Sequence, residues 1–191
     1  MAEMDHVQQA MFGAGCFWGV QYYFDQVPGV VKTTVGYSGG HTENPDYYQI
    51  HDEETGHAEV ALVEFDPAVV DYESLVRHFF RMHNPTLRNS DGINFGSNYR
   101  SCAFYYDDQQ KEILERVKEQ VQTMYDAPIV TEIAPAKKFW EAEAFHQKFT
   151  ERTGRGTCHV PYEPLAGELT PPQDHATTMD KMRGWLESHS R

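Results

Sequence analysis

The sequence predicts an α+β fold, a two-layer sandwich of helices on a mixed β-sheet with an irregular C-terminal tail. Hydrophobic patterns of period 2 and period 3.6 alternate along the chain, but without the strict strand-helix-strand rhythm of a doubly wound fold. The segments follow one another closely, which favours helices packed against a mixed sheet. Beyond Gly154, prolines at 161, 164, 171 and 172 and glycines at 154, 156 and 167 interrupt any regular pattern. With 191 residues, 40% of them hydrophobic, and no break in composition, the chain is expected to form one domain over 1–191, its core at 7–153 and its tail at 154–191 wrapping that core.

Val7 to Phe12 reads as a strand that stops at Gly13. Phe17, Val20, Phe24 and Val27 then recur at helical spacing as far as Pro28-Gly29. Val30 to Val35 is β-branched and strand-like. Gly36 to Gly56, rich in Gly, Asn, Pro, Asp and His, reads as a long loop, a kind of segment that often carries function. His57 to Phe65 alternates as a strand, and Asp71 to His83 puts Leu75, Val76, Phe79 and Phe80 on one helical face. Asn84 to Asn98 is again loop, followed by a strand from Tyr99 to Tyr106. Asp107 to Tyr125 is the clearest amphipathic helix, with Ile113, Leu114, Val117, Val121 and Met124 inward. Ile129 to Ile133 predicts a further strand, Trp140 to Thr153 a helix, and Met179 to Ser188 a short closing helix.

Composition removes several functions. The formal charge of -13, from 29 acidic against 16 basic residues, repels a phosphate backbone, so no nucleic acid partner is expected. MAEMDHVQQA lacks the basic start and apolar run of a secretion signal, and no stretch is long enough to cross a bilayer; a soluble, monomeric, cytoplasmic protein with no membrane partner is the expectation. Three cysteines, Cys16, Cys102 and Cys158, are an odd number in a chain too large to need staples, so thiols are expected rather than a permanent disulfide framework. Ten histidines invite a metal, yet neither His41, His51 and His57 nor Cys158-His159 has the spacing of a compact zinc motif; no metal and no cofactor are expected.

The chemistry concentrates at Gly13-Ala14-Gly15-Cys16-Phe17-Trp18-Gly19. Cys16 falls where a strand turns into a helix, and the unpaired amides and dipole of a helix start favour thiolate over thiol. A lone cysteine on an apolar element is more often a buried structural residue, but the glycines beside it, Gly15 among them, permit close approach of a ligand. Phe17 and Trp18 can wall an apolar slot next to the sulfur, although either ring alone reads equally well as core packing.

This segment, GCFWG, resembles the signature of the peptide methionine sulfoxide reductase A family, whose cysteine attacks a sulfoxide sulfur. The resemblance continues through Tyr37-Ser38-Gly39-Gly40, Gly56-His57-Ala58-Glu59-Val60, Phe65-Asp66-Pro67, Asn84-Pro85-Thr86, Gly96-Ser97-Asn98-Tyr99-Arg100-Ser101 and Phe145-His146-Gln147-Lys148-Phe149, in the family's order. It implies a methionine S-sulfoxide reductase that repairs oxidised proteins and is recycled by thioredoxin.

Glu59 shares a strand face with Ala61, Val63 and Phe65, where a carboxyl group tends to stay protonated and can pass a proton to a sulfoxide oxygen. The resemblance gives the Glu of the GHAE block that role; without it, Glu59 reads as a solvated strand end. Tyr47 and Tyr99 match family tyrosines that hold the same oxygen, and a phenol donates without carrying charge at neutral pH. The resemblance selects Tyr47 over Tyr48, because its spacing to Glu59 matches the family's pattern; residue pattern alone does not separate the two. Asn94 stands where the family usually has Asp, which removes a charge from the substrate-binding set; Asp91 is a possible substitute.

Attack by Cys16 would leave a sulfenic acid, which a second thiol can condense with. Cys158, in Gly154-Arg155-Gly156-Thr157-Cys158, is the candidate, since the family often places resolving cysteines in its tail. Direct reduction of Cys16 by an external dithiol stays open beside it. Cys102, on the strand face of Phe104, reads as a buried inert thiol. A thiol peroxidase or a non-catalytic redox sensor would also use a low-pKa cysteine, but the Phe17-Trp18 slot favours a substrate that carries a methyl group.

Overall fold

The computed structural model describes residues 6–156 and 161–165. Its strands are β1 (Gln8–Ala14), β2 (Val30–Ser38), β3 (Ala58–Phe65), β4 (Ser101–Tyr105), β5 (Glu132–Pro135) and β6 (Trp140–Glu141). Its helices are α1 (Phe17–Phe24), α2 (Tyr72–Arg81), α3 (Asp108–Gln122) and α4 (Phe149–Thr153). The strands form one sheet in the order β5-β4-β1-β3-β2-β6, antiparallel at every pairing except β4 with β5. This is the α+β helix-on-mixed-sheet fold that the alternating patterns predict.

Alternation along the strands sorts side chains onto two faces. One face carries Ala10, Phe12, Ala61, Val63, Phe65 and Ala103 beneath α1, α2 and α3, with Leu75, Val76, Phe79, Leu114 and Val117 closing the layer. Phe12 stacks between Phe24 and Phe79, at ring-centroid distances of 5.3 and 5.0 Å. Burying each such ring contributes roughly 1.5–3 kcal/mol, so this face is the main hydrophobic support of the fold. Met11, Val60, Cys102 and Phe104 face the other way and are covered by Ala136 and Phe139. α2 and α3 start where Asp71 and Asp107 accept the backbone N–H of Ser74 and Gln110, at 2.7 and 2.8 Å.

Four expectations need correction: the strand expected over Ile129 to Ile133 is β5, which starts only at Glu132, where it pairs with Cys102 of β4. The helix expected over Trp140 to Thr153 is instead β6, a 3-10 turn at Ala144–His146 and the short α4. Gln147 overrides the helical pattern: its amide donates to Val35 O at 2.8 Å and accepts from Val35 N at 3.0 Å, laying this segment along β2. Gly36 admits it, since a Cβ there would meet Trp140 O at 2.3 Å. β2 runs on to Ser38 because Tyr37 and Ser38 pair with Glu59 and Ala58 across the sheet, so the long loop starts later. Tyr99 closes a 3-10 turn, Ser97–Tyr99, and β4 begins only at Ser101.

In the described part of the tail, Gly156 lies against Trp18, and Tyr162 packs on Tyr23 and His78. Glu163 pairs with the buried Arg81 at 2.9 Å. Cys158 and the closing helix expected at Met179 to Ser188 lie outside the described residues. Among the described residues, no helix is long and apolar enough to cross a membrane.

Candidate active site

β1 ends at Ala14, and Gly15, with φ of 87°, turns the chain so that Cys16 stands at the N-cap of α1. Only glycine suits that position, because a Cβ would also meet the Asp91 side chain at 2.3 Å. The Cys16 side chain makes no capping hydrogen bond. Two carboxyl groups take the leading amides of the helix instead: Cys16 N–H donates to Asp91 Oδ2 at 3.2 Å, and Phe17 N–H donates to Glu59 Oε1 at 3.3 Å. The sulfur-bearing residue is 8% exposed, at the edge between core and solvent.

Glu59 is buried on the face of β3 that also carries Ala61, Val63 and Phe65, as its alternation predicts. Asn98 Nδ2 donates to its second oxygen at 3.2 Å. Tyr47 and Tyr99 belong to the same cluster. Burial first, and then the Glu59 carboxylate, push both phenols above the ordinary tyrosine range, and Cys16 adds to the rise. Both therefore remain proton donors at neutral pH. His51 links them, with Nδ1 at 2.7 Å from Tyr47 O and Nε2 at 3.4 Å from Tyr99 Oη.

Phe17 is fully buried, whereas Trp18 is half-buried and stacked on Phe149 at 3.9 Å. The Trp18 indole N–H donates to His146 Nδ1 at 2.9 Å, and His146 lies 4.6 Å from the Tyr47 ring. Burial lowers the His146 pKa, against the opposing pull of Glu143, which favours the neutral ring that can accept from Trp18. Asn94 is linked to the Cys16 backbone amide through Asp91: its side-chain amide donates to Asp91 Oδ2 at 2.9 Å and its backbone N–H to Oδ1 at 2.7 Å.

His146, which accepts from Trp18, and Asn98, which donates to Glu59, join the site without any residue-type pattern that marks them. The signal for both lay in the quoted FHQKF and GSNYRS blocks. Asp91, weighed from the sequence as a substitute for the charge missing at Asn94, is brought by the folded chain to the Cys16 amide, 75 positions away. Cys102 is fully buried with Met11 and Phe104, and burial pushes its thiol up to about 12, as expected of an inert core cysteine. Tyr48 is 85% exposed and outside the cluster. The His57 ring accepts from Gly40 N–H at 3.1 Å and donates to Thr42 O at 2.8 Å, so it braces the loop. Among the described residues, no group of three or more His, Cys, Asp or Glu side chains is placed to hold a metal ion.

A thiol that shares its helix end with a buried carboxyl group and lies among neutral phenols is equipment for sulfur redox chemistry, which puts the chain among the thiol oxidoreductases. Comparison with known proteins narrows the class. The peptide methionine sulfoxide reductase family model matches residues 8–176. The chain is 46% identical to the peptide methionine sulfoxide reductase MsrA of Geobacter sulfurreducens over 160 residues, covering 83% of this chain and 99% of that one. It is 40% identical to the MsrA of Clostridium acetobutylicum over 159 residues, 83% of this chain and 98% of that one. The chain belongs to the peptide methionine sulfoxide reductase MsrA family, and its activity is that of a methionine sulfoxide reductase.

Its fold is similar to that of reduced Mxr1 from Saccharomyces cerevisiae, with a TM-score of 0.78 and 30% identity over 83% of this chain and 94% of that one. Mxr1 crystallised in complex with Trx2 is also similar, with a TM-score of 0.58 and 25% identity over 83% of this chain and 92% of that one.

Proposed function

We propose that the chain reduces methionine S-sulfoxide through a sulfenic acid on Cys16, with Glu59 as proton donor. The observation that carries this reading is the pair of adjacent amides at the start of α1: the amide after the cysteine's own is tied to the Glu59 carboxyl group, which brings acid and thiol to one helix end. The Cys16 sulfur attacks the sulfoxide sulfur, the S–O oxygen leaves onto the cysteine as its proton arrives from Glu59, and methionine departs. Tyr47 and Tyr99 hydrogen-bond the oxygen, and Phe17 and Trp18 take the methyl group, with His146 holding the indole in place.

Cys158 then displaces water from the sulfenic acid to give a disulfide, and thioredoxin returns both thiols by taking up that oxidation. Two described contacts support this role. Gly156, two positions earlier, lies on Trp18, and Glu163, five positions later, is held by Arg81. The crystallised complex of Mxr1 with Trx2 supports thioredoxin as the reductant. The experiment is a reductant-free reaction with each sulfoxide epimer, counting methionine formed and thiols lost per chain. One methionine and two thiols with the S epimer alone is the expected result. Cys158→Ser is expected to form the same single methionine but to stop under thioredoxin; equal multiple turnover in both forms would reject Cys158 as the resolving thiol.

Asp91 extends the reading to a residue that acts through the backbone. Its carboxylate gathers four donors, from Cys16, Ile93 and Asn94 twice, a set that suits an ionised acceptor. Asp91 thereby supplies the negative charge that Asn94 lacks. Asp91→Ala is expected to slow single-turnover sulfoxide reduction about 10- to 100-fold, the loss expected when a charge-assisted hydrogen bond that positions a reacting group is removed. A single-turnover rate equal to wild type would show that the thiol needs no anchor at this amide.

A further inference from the structure

Arg81, the last residue of α2, is 4% exposed, and a guanidinium buried in this way needs an anionic partner. Its Nη2 donates to Glu163 Oε2 at 2.9 Å, and its Nη1 donates to the Glu163 backbone carbonyl at 2.5 Å and to Tyr23 Oη at 3.2 Å. The Tyr23 hydroxyl in turn lies 2.7 Å from His78 Nδ1. Burial, and then the Arg81 cation, lower the His78 pKa to about 4, so at neutral pH the ring brings no second positive charge. Among the described residues, Glu163 is the one carboxylate that pairs with Arg81, and it comes from the tail rather than from the core. The neighbouring tail ring, Tyr162, packs edge-on to Tyr23 at 5.5 Å and lies 5.6 Å from His78. α1 and α2 thus form a socket that a Tyr-Glu pair of the tail fills.

The tail is held at a second point. A Cβ on Gly156 would meet Trp18 Cβ at 3.2 Å and Thr150 Oγ1 at 3.1 Å, so its backbone lies against α1 two residues beyond Cys16. Cys158 belongs to the short stretch of sequence between these two held points. A residue two positions from a held glycine stays within about 7 Å of it, whatever path the chain takes. We propose that Arg81 is a positioning residue for the resolving step: by holding Glu163 it fixes the far end of this stretch and keeps Cys158 within reach of the sulfenic acid on Cys16. This inference rests on the reading of Cys158 as the resolving thiol. In that step the Cys158 sulfur attacks the Cys16 sulfur, the S–O bond breaks, and the hydroxyl leaves as water with the thiol proton. A stretch held at both ends keeps its thiol at high local concentration, whereas one held at Gly156 alone lets the chain swing out into solvent. The residues that Arg81 touches, Tyr23 and Glu163, have no role in the sulfoxide step, so the two steps separate.

The test follows one turnover of the full chain on methionine S-sulfoxide without reductant, with dimedone present to trap sulfenic acid. Methionine, dimedone adduct and protein disulfide are counted for wild type, Arg81→Met and Glu163→Lys. The first variant replaces the guanidinium by an apolar side chain of similar length; the second puts repulsion into the same pair from its exposed side, with the core unaltered. Both are expected to release methionine within about twofold of the wild-type rate, yet to join Cys16 to Cys158 about 10-fold or more slowly, with a matching rise in trapped adduct. A merely structural role would slow the two steps together. The wild-type partition between disulfide and adduct in Glu163→Lys would overturn the proposal, as would equal slowing of methionine release and disulfide formation in both variants. A wild type that loses one thiol and forms no disulfide would overturn it in a different way, by removing Cys158 as the resolving thiol.

Discussion

Cys16→Ser is expected to form no methionine from methionine sulfoxide, even in a single turnover without reductant, while keeping its fold. Serine matches cysteine in shape and is a favoured N-cap residue, so the start of α1 loses nothing by the exchange. The Cys16 side chain makes no capping hydrogen bond, and the leading amides already have Asp91 and Glu59 as acceptors. What disappears is a sulfur able to take up oxygen and two electrons; a hydroxyl has no counterpart of the sulfenic acid. Methionine release by amino-acid analysis, beside a thermal melt, separates chemistry from folding. Product above background in a folded Cys16→Ser protein would move the reducing group to another residue.

Glu59→Gln is expected to slow the sulfoxide step by about 10² to 10⁴, the range for loss of a positioned general acid. The substitution keeps the side-chain volume, and its carbonyl oxygen can still accept from Phe17 N–H. It removes the transferable proton and turns an amide group toward Asn98, which now donates to the second carboxyl oxygen. The fall therefore belongs in the single-turnover rate, with the thioredoxin-dependent step unaffected. Single-turnover rates across pH supply a second readout, because a lost acid also removes its limb from the profile. An unchanged rate at every pH would leave Glu59 as a structural anchor for the helix.

The parts of the molecule legible in the sequence are those with local or periodic causes. β1, β3, α2 and α3 follow from alternation of period 2 or 3.6 and from aspartates at helix starts. Placing Cys16 at a strand-to-helix turn needed only the glycines around it and the apolar spacing after it. The strand face that Glu59 shares with Ala61, Val63 and Phe65 was legible from alternation, whereas its reading as an acid came from the resemblance of the GHAE block. The segment after Trp140 departs from its helical pattern because Gln147 satisfies the backbone of β2 and holds the neighbouring chain extended. No local pattern contains that information.

The sequence by itself determined the chemical inventory: a cysteine at the start of a helix, an acid on an apolar strand face, phenols in a loop and aromatic rings beside the thiol. Only the tertiary structure decided which carboxylate reaches the Cys16 amide. Asp91 holds it, Asn94 holds Asp91, and His146 orients Trp18. The physical reason is that a hydrogen bond depends on separations of about 3 Å in space, whereas these partners stand up to 128 positions apart along the chain.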